Sequence, residues 1–284
     1  MRIVVPLDGS SCSETAIAWA NLVAEKTQAS VTLLRSYQPL ENVHLSPQLP
    51  ITVAELVNNE GQEKEIKEYL REQSLKFGDT DVAVTCIQGQ AAHSILDAST
   101  KADLIVVASH GTSGIDRWLL GSVATKVVRA SETPVLVVNA RDNETPPPVR
   151  MERILVTLDE SERAETALTE AAKLARAFGS TLILYEGIVN VWKTSGPDTW
   201  AGDRAAEYLR SKAEQYSDVQ TEQVVHRSSI GPEIVSQAEA LKADLVVMCS
   251  HGRSGLSRWV LGSVTESVVQ RAECPVLVYY DRPT

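Results

Sequence analysis

The chain has 284 residues, 43% hydrophobic and 23% charged, with a formal net charge of −10. That length accommodates two domains of ordinary size. The acidic balance argues against nonspecific binding to nucleic acid or acidic lipid, while a small anion held by a few local donors remains compatible with it.

The first apolar run, residues 2–7, is short, continuous and rich in Val and Ile, as a strand buried on both faces requires. Pro6 and Asp8 interrupt it too early for a signal peptide, and no later run reaches membrane-spanning length. A cytoplasmic protein without a membrane partner is therefore expected. Residues 11–27 follow, with Ala16, Ile17, Ala20 and Ala24 at helical spacing and with Ser11 and Glu14 as a capping box. Strands are predicted at 30–37, 82–88, 103–108 and 134–138. Helices are predicted between them: a charged amphipathic one at 53–75, then 91–100 and 121–131.

After "DNETPPPVR" (142–150), whose three prolines can continue neither ladder nor helix, the pattern starts again. "RIVVPLD" (2–8) returns as "RILVTLD" (153–159), "ADLIVVAS" (102–109) as "ADLVVMCS" (243–250), and "TPVLVV" (133–138) as "CPVLVY" (274–279). Strands are expected near 154–158, 181–188, 221–226, 244–249 and 276–280. The reading is an α/β chain of two tandem Rossmann-like, doubly wound domains, 1–141 and 151–284, joined by a linker at 142–150. Each is a five-stranded parallel sheet of order 3-2-1-4-5 flanked by helices. The apolar fifth strands would leave open edges. The strands at 134–138 and 275–279 are expected to meet about an approximate two-fold axis, an intramolecular pseudo-dimer, with a further homodimer of whole chains left open.

The longest repeated string is "SHGTSGIDRWLLGS" (109–122), which returns as "SHGRSGLSRWVLGS" (250–263) with ten of fourteen positions identical. In the strand order above, it follows the fourth strand, beside the end of the first, where ligands of open parallel sheets bind. Asp8 and Ser109-His110-Gly111 would face one crevice, and Asp159 and Ser250-His251-Gly252 the other. Gly121-Ser122 and Gly262-Ser263 each open a helix, whose free amides and partial positive charge form a cradle for phosphate. A glycine and serine that simply cap the helix are the competing reading.

These residues carry a resemblance. The chain is similar to tandem universal stress proteins over nearly its whole length. Nucleotide-binding members of that family carry Gly-x2-Gly-x9-Gly-(Ser/Thr) after the fourth strand. Here the string is Gly111-x9-Gly121-Ser122 and Gly252-x9-Gly262-Ser263, with Ala108 and Cys249 where the first glycine would stand. The resemblance implies ATP or AMP as bound ligand, with Mg²⁺ as an optional companion. It places Pro6, Asp8 and Ser36 around adenine and ribose, and Val107, Ala108, His110, Gly111, Gly121, Ser122 and Val123 along the rest. In the second copy it places Thr157, Asp159 and Glu186, then Met248, Cys249, His251, Gly252, Gly262, Ser263 and Val264. Asp116 in the first loop disfavours phosphate and Arg253 and Ser257 in the second favour it. Glu186 threatens the second base pocket, which tips the balance toward the first copy.

Plainer roles compete at several positions. His110 and His251 suit shaping of the turn or contact with phosphate better than catalysis. Asp8 and Asp159 suit a ribose contact or a helix cap. Trp118 and Trp259 suit packing. Cys249 suits a small buried hydrophobe better than a redox thiol. The four cysteines show no CxxC spacing and fit a reducing compartment, and the five histidines form no metal-spaced pair. SGGxDS, HxGH and GxxxxGK[ST] strings are absent from the sequence. The expected activity is therefore regulatory binding of an adenine nucleotide in one or both repeats in a stress response, with weak ATP hydrolysis at most. The alternatives are a scaffold with degenerate sites acting through unknown protein partners, and a slow ATPase.

Overall fold

The computed structural model describes residues 1–38, 59–110, 120–139, 149–188, 199–227, 230–250 and 261–280. The first repeat runs β1 (Arg2–Pro6), α1 (Ser11–Thr27), β2 (Ser30–Tyr37), α2 (Asn59–Ser74), β3 (Val82–Gln88), α3 (Ala91–Ala98), β4 (Leu104–Ala108), α4 (Ser122–Ala130) and β5 (Val135–Val138). The second runs β6 (Arg153–Leu158), α5 (Glu162–Phe178), β7 (Thr181–Ile188), α6 (Thr199–Gln215), β8 (Thr221–Arg227), α7 (Ile230–Ala240), β9 (Leu245–Cys249), α8 (Ser263–Arg271) and β10 (Val276–Tyr279). Every strand, and each helix of the first repeat, lies close to its predicted range. The start of the helix predicted over 53–75 and most of the 142–150 linker fall outside the described residues.

All strands join one ten-stranded sheet of order β3-β2-β1-β4-β5-β10-β9-β6-β7-β8. Each half is parallel and has the expected order. The halves meet antiparallel, with Val135, Leu136 and Val137 opposite Val278, Leu277 and Val276. Leu136 and Leu277 hold the same place in the two "PVLV" strings, so the approximate two-fold axis passes through a residue facing its own counterpart. Both are buried, 1% and 3% exposed. This pairing satisfies backbone groups that two open edges would leave unmatched.

Side chains on alternate strand positions feed two apolar layers. One packs under α1, α2, α5 and α6 and includes Leu33, Leu70, Phe77, Leu184 and Leu209. The other packs under α3, α4, α7 and α8 and includes Ile95, Val127, Ile234, Met248 and Val268. Cross-repeat polar contacts flank the seam. Asn139 donates from Nδ2 to the carbonyls of Ala272 (2.5 Å) and Cys274 (3.2 Å). At the corresponding place Tyr280 donates its hydroxyl to the Val128 carbonyl at 2.6 Å. Arg129 of α4 bonds Glu266 of α8 at 2.6 Å.

Two helix starts show how the local sequence decides. Ser10 has an extended backbone, φ −84° and ψ 152°, and its hydroxyl accepts from the Ser13 amide, making Ser10 the N-cap of α1. The Ser11–Glu14 capping box is thus corrected by one residue, because Ser11 is already helical. The Glu14 carboxylate instead takes the Tyr69 hydroxyl at 3.1 Å and Lys76 at 2.9 Å. Ser161 caps α5 in the same way as Ser10. Glu165 receives the Tyr208 hydroxyl at 3.2 Å and Lys212 at 2.7 Å.

The seam sets an alkaline limit on the fold. Burial pushes the Tyr279 and Tyr280 phenols well above the ordinary range and the Cys274 thiol up to about 12. In the unfolded chain a thiol ionises near about pH 8.5 and a phenol near about pH 10. The folded state holds these protons longer. Their stability contribution is therefore complete below about pH 8.5 and is lost progressively as pH rises through the folded values. Denaturant midpoints are expected to fall steadily between about pH 9 and about pH 11. Absorbance at about 295 nm should show these phenols ionising only as the protein unfolds. A midpoint constant over that window would contradict the burial.

Candidate functional site

At the carboxyl end of each half-sheet the strand order reverses between β1 and β4, and between β6 and β9. Pro6 ends β1, opposite Leu34 in register, and Thr157 of β6 stands opposite Tyr185. Just beyond, one carboxylate oxygen of Asp8 accepts from the Ser10 amide (2.9 Å) and hydroxyl (2.5 Å). Asp159 does the same with Ser161, at 3.1 and 2.5 Å. Neither aspartate is itself the cap of the next helix: each orients the serine that is.

Across the crevice, β4 ends at Ala108 and β9 at Cys249. The Gly121 amide donates to the Ser109 carbonyl at 2.7 Å, and the Gly262 amide to the Ser250 carbonyl at 2.9 Å. Each bond closes the long loop and pins the start of α4 or α8 beside the strand end. The amides of Gly121 and Gly262, counted among the phosphate donors in the sequence reading, are engaged by these carbonyls here. In an α-helix the amides of the first turn lack intrahelical acceptors. In α4 these belong to Ser122, Val123 and Ala124, because the Thr125 amide already reaches the Gly121 carbonyl at 2.8 Å. In α8 the Glu266 amide reaches Gly262 at 2.9 Å, leaving the corresponding turn at Ser263, Val264 and Thr265. Ser122 and Ser263 are exposed, and neither glycine N-cap supplies a side-chain cap. Gly121 has φ −56° and Gly262 φ −59°, values any residue adopts.

Val107 and Met248 lie in the apolar layer under the cradle helices, whereas Cys249 lies in the layer on the other face. Strand alternation puts Ala108 on that other face too. The Cβ atoms that replace the family glycine therefore point away from the cradle side. Cys249 packs with apolar side chains, which matches the packing reading. His110 takes a 3.0 Å contact from Nδ1 to the Ser109 hydroxyl. Its Nε2 is buried without a hydrogen-bond partner among the described residues. Gly111, Asp116, Trp118, His251, Gly252, Arg253, Ser257 and Trp259 lie outside the described residues. Among the described residues, no three His, Cys, Asp or Glu side chains form a metal-binding group. No described helix is long and apolar enough to cross a membrane.

The register also corrects one match between the copies. Arg2 pairs with Ser30 and Arg153 with Thr181, so Arg35, not Ser36, corresponds to Glu186, and Ser36 corresponds to Gly187. Counting from the start of each second strand would have found this. Arg35 was missed by the sequence reading. Its guanidinium lies 5.3 Å from the centre of the Tyr69 ring and packs over Gly9. Glu186, by contrast, is buried at 5% exposure. Gly9 has φ +90°, and a Cβ there would meet the Arg35 guanidinium at 2.8 Å. The corresponding Glu160 keeps the left-handed backbone at φ 63° and pairs with Arg204 through two 3.0 Å bonds.

The universal stress protein family model matches residues 1–139 and again 151–279. The chain belongs to the universal stress protein family. It is 29% identical over 294 residues to the universal stress protein Rv2623 of Mycobacterium tuberculosis, covering 98% of this chain and 96% of that one. It is 30% identical over 296 residues to a universal stress protein of Mycolicibacterium smegmatis, covering 99% and 97%. Among solved structures, a universal stress protein from Archaeoglobus fulgidus superimposes with a TM-score of 0.74 at 22% identity, covering 98% of both chains. That likeness establishes the fold of tandem universal stress protein repeats.

Gly9→Ala is expected to lower stability by about 1–2 kcal/mol, the cost of a left-handed backbone for an L-residue, plus the displacement of Arg35. Ser10→Ala should cost about 1 kcal/mol through the lost cap. Urea unfolding measures both, and unchanged midpoints would contradict this geometry.

Proposed function

We propose that the chain binds an adenine nucleotide, ATP or AMP, as a regulatory ligand in the cradle of each repeat. The observation that carries this reading is an arrangement built twice. A strand-end carbonyl holds a glycine amide, and the next residue is an exposed serine opening a helix with an unused first turn. Such a turn attracts phosphate through its amides and its partial positive charge. The likeness of Gly-x9-Gly-Ser to the nucleotide-binding members of the family supplies the adenine. Turning of the Ala108 and Cys249 side chains to the opposite face supports cradles that still accept a ligand despite the missing glycine. Any accompanying Mg²⁺ would be held mainly by the phosphates.

Titration calorimetry with ATP tests this. Gly121→Asp puts a carboxylate at the N-cap of α4. The backbone there accepts any residue and aspartate favours that position, so the melting temperature of the ligand-free protein should hold. The carboxylate occupies the place of the anion, so affinity in the first repeat should fall at least about tenfold, an electrostatic loss of about 1.4 kcal/mol or more. Gly262→Asp should act likewise in the second repeat, and the double variant should bind neither. Equal binding by wild type and double variant would refute the cradle. ATP turnover should stay far below about 1 per second, the low end of the usual enzyme range. Faster hydrolysis that is lost in the double variant would make the protein an ATPase.

A further inference from the structure

The two cradles are alike, but the rows of side chains beside them are not. In the first repeat the strand-end row under α3 and α4 reads Thr85, Leu34, Pro6, with Leu34 in register with both neighbours. In the second repeat the same row reads Val224, Tyr185, Thr157. Tyr185 is 1% exposed, and its hydroxyl has no hydrogen-bond partner among the described residues. A buried hydroxyl left unpaired is disfavoured, so a native structure that keeps one calls for a partner beyond those residues. Nearby groups do not fill the role. Glu233 of α7 acts on the phenol electrostatically. One of its oxygens, however, is taken by His226 at 2.9 Å and Gln237 at 3.0 Å, and no bond reaches Tyr185. The phenol shares its apolar layer with Met248, at the end of β9, and with Leu261, which directly precedes the cradle glycine Gly262. Burial first, then Glu233, pushes it up to about 12, so it keeps its proton and can both donate and accept.

We propose that the second repeat reads the hydrogen-bonding edge of a purine base through the Tyr185 hydroxyl, whereas the first repeat has Leu34 in that place with Pro6 beside it and offers the base edge no hydroxyl there. Thr157, half-buried beside Tyr185, offers the second hydroxyl of the row. The two sites of one chain then differ in selectivity: the second discriminates between purines and the first tolerates them. The proposal rests on the nucleotide reading above and assigns the base selectivity of its second site.

The test uses the full chain carrying Gly121→Asp, so that only the second cradle is open. ATP is compared with purine riboside triphosphate, which lacks the exocyclic amine. ATP should bind at least about tenfold more tightly, since a site built to hydrogen-bond rejects a ligand lacking the partner. Tyr185→Phe should weaken ATP by about three- to tenfold, the worth of one neutral hydrogen bond, and should bring the two ligands close to parity. That non-additivity is the sign of direct contact. The ligand-free melting temperature should stay level or rise, because no internal bond is lost. In the Gly262→Asp protein, open only at the first cradle, the two ligands should bind alike. If Tyr185→Phe lowers the ligand-free melting temperature and leaves the ligand ratio unchanged, the hydroxyl serves the fold through bound water and the proposal fails. If Gly262→Asp weakens ATP but Tyr185→Phe does not, the proposal alone fails. If wild type binds no nucleotide, the functional reading fails with it.

Discussion

The antiparallel contact of β5 with β10 is the constraint on which the rest of the molecule depends. Each half-sheet ends in an apolar strand that would be an adhesive edge in isolation. The register places Leu136 against Leu277 at the centre and turns two five-stranded sheets into one. The apolar layers then run through both repeats, with Leu136 and Leu277 in the same cluster as Val5 and Val156. The cradle helices share the constraint. α4 starts at a strand end of its own repeat, while near its other end the Val128 carbonyl is held by Tyr280 of the second repeat. At the end of α8, the Ala272 carbonyl is held by Asn139 of the first repeat. Each cradle helix is therefore a rod anchored by the other repeat.

Duplication fixed the frame and released the details. The strand ends, the aspartate that orients a capping serine, and the Tyr–Glu–Lys contact behind it occur in both halves. Around that frame Gly9 faces Glu160 as counterpart, Leu34 faces Tyr185, and Arg35 faces Glu186. Arg129 bonds Glu266 across the seam with no mirror-image pair, since the equivalent positions hold Gln270 and Thr125. An acid in the first turn of α8 is thereby balanced by a cation from the other repeat, whereas the first turn of α4 carries no acid.

Much of this was legible in the sequence. Continuous Val- and Ile-rich runs announce strands buried on both faces, and their return in the same order announces the repeat. The apolar "PVLV" strings foretell the seam, because an edge of that kind needs a partner. What sequence misjudged was decided by single-residue register. Ser10 rather than Ser11 caps α1, since both are serines and only the backbone angles separate them. Glu186 was matched to Ser36 although the first two strands are equally spaced in both copies, so that a plain count gives Arg35. The Gly121 amide is used by Ser109, a contact that residue type alone does not disclose. Tyr185 reads from sequence as one more strand aromatic; its unpaired hydroxyl is visible only in three dimensions.

In the proposed reading, phosphate is held by the first-turn amides that follow each cradle glycine. Amide-resolved nuclear magnetic resonance during ATP titration tests it directly. The proton resonances of Ser122, Val123, Ser263 and Val264 should move downfield as charge-assisted hydrogen bonds form. Those of Gly121 and Gly262 should move least among the cradle amides, because the Ser109 and Ser250 carbonyls already hold them. Saturating binding that leaves all four first-turn amides in place, or that shifts the glycine amides most, would contradict the claim.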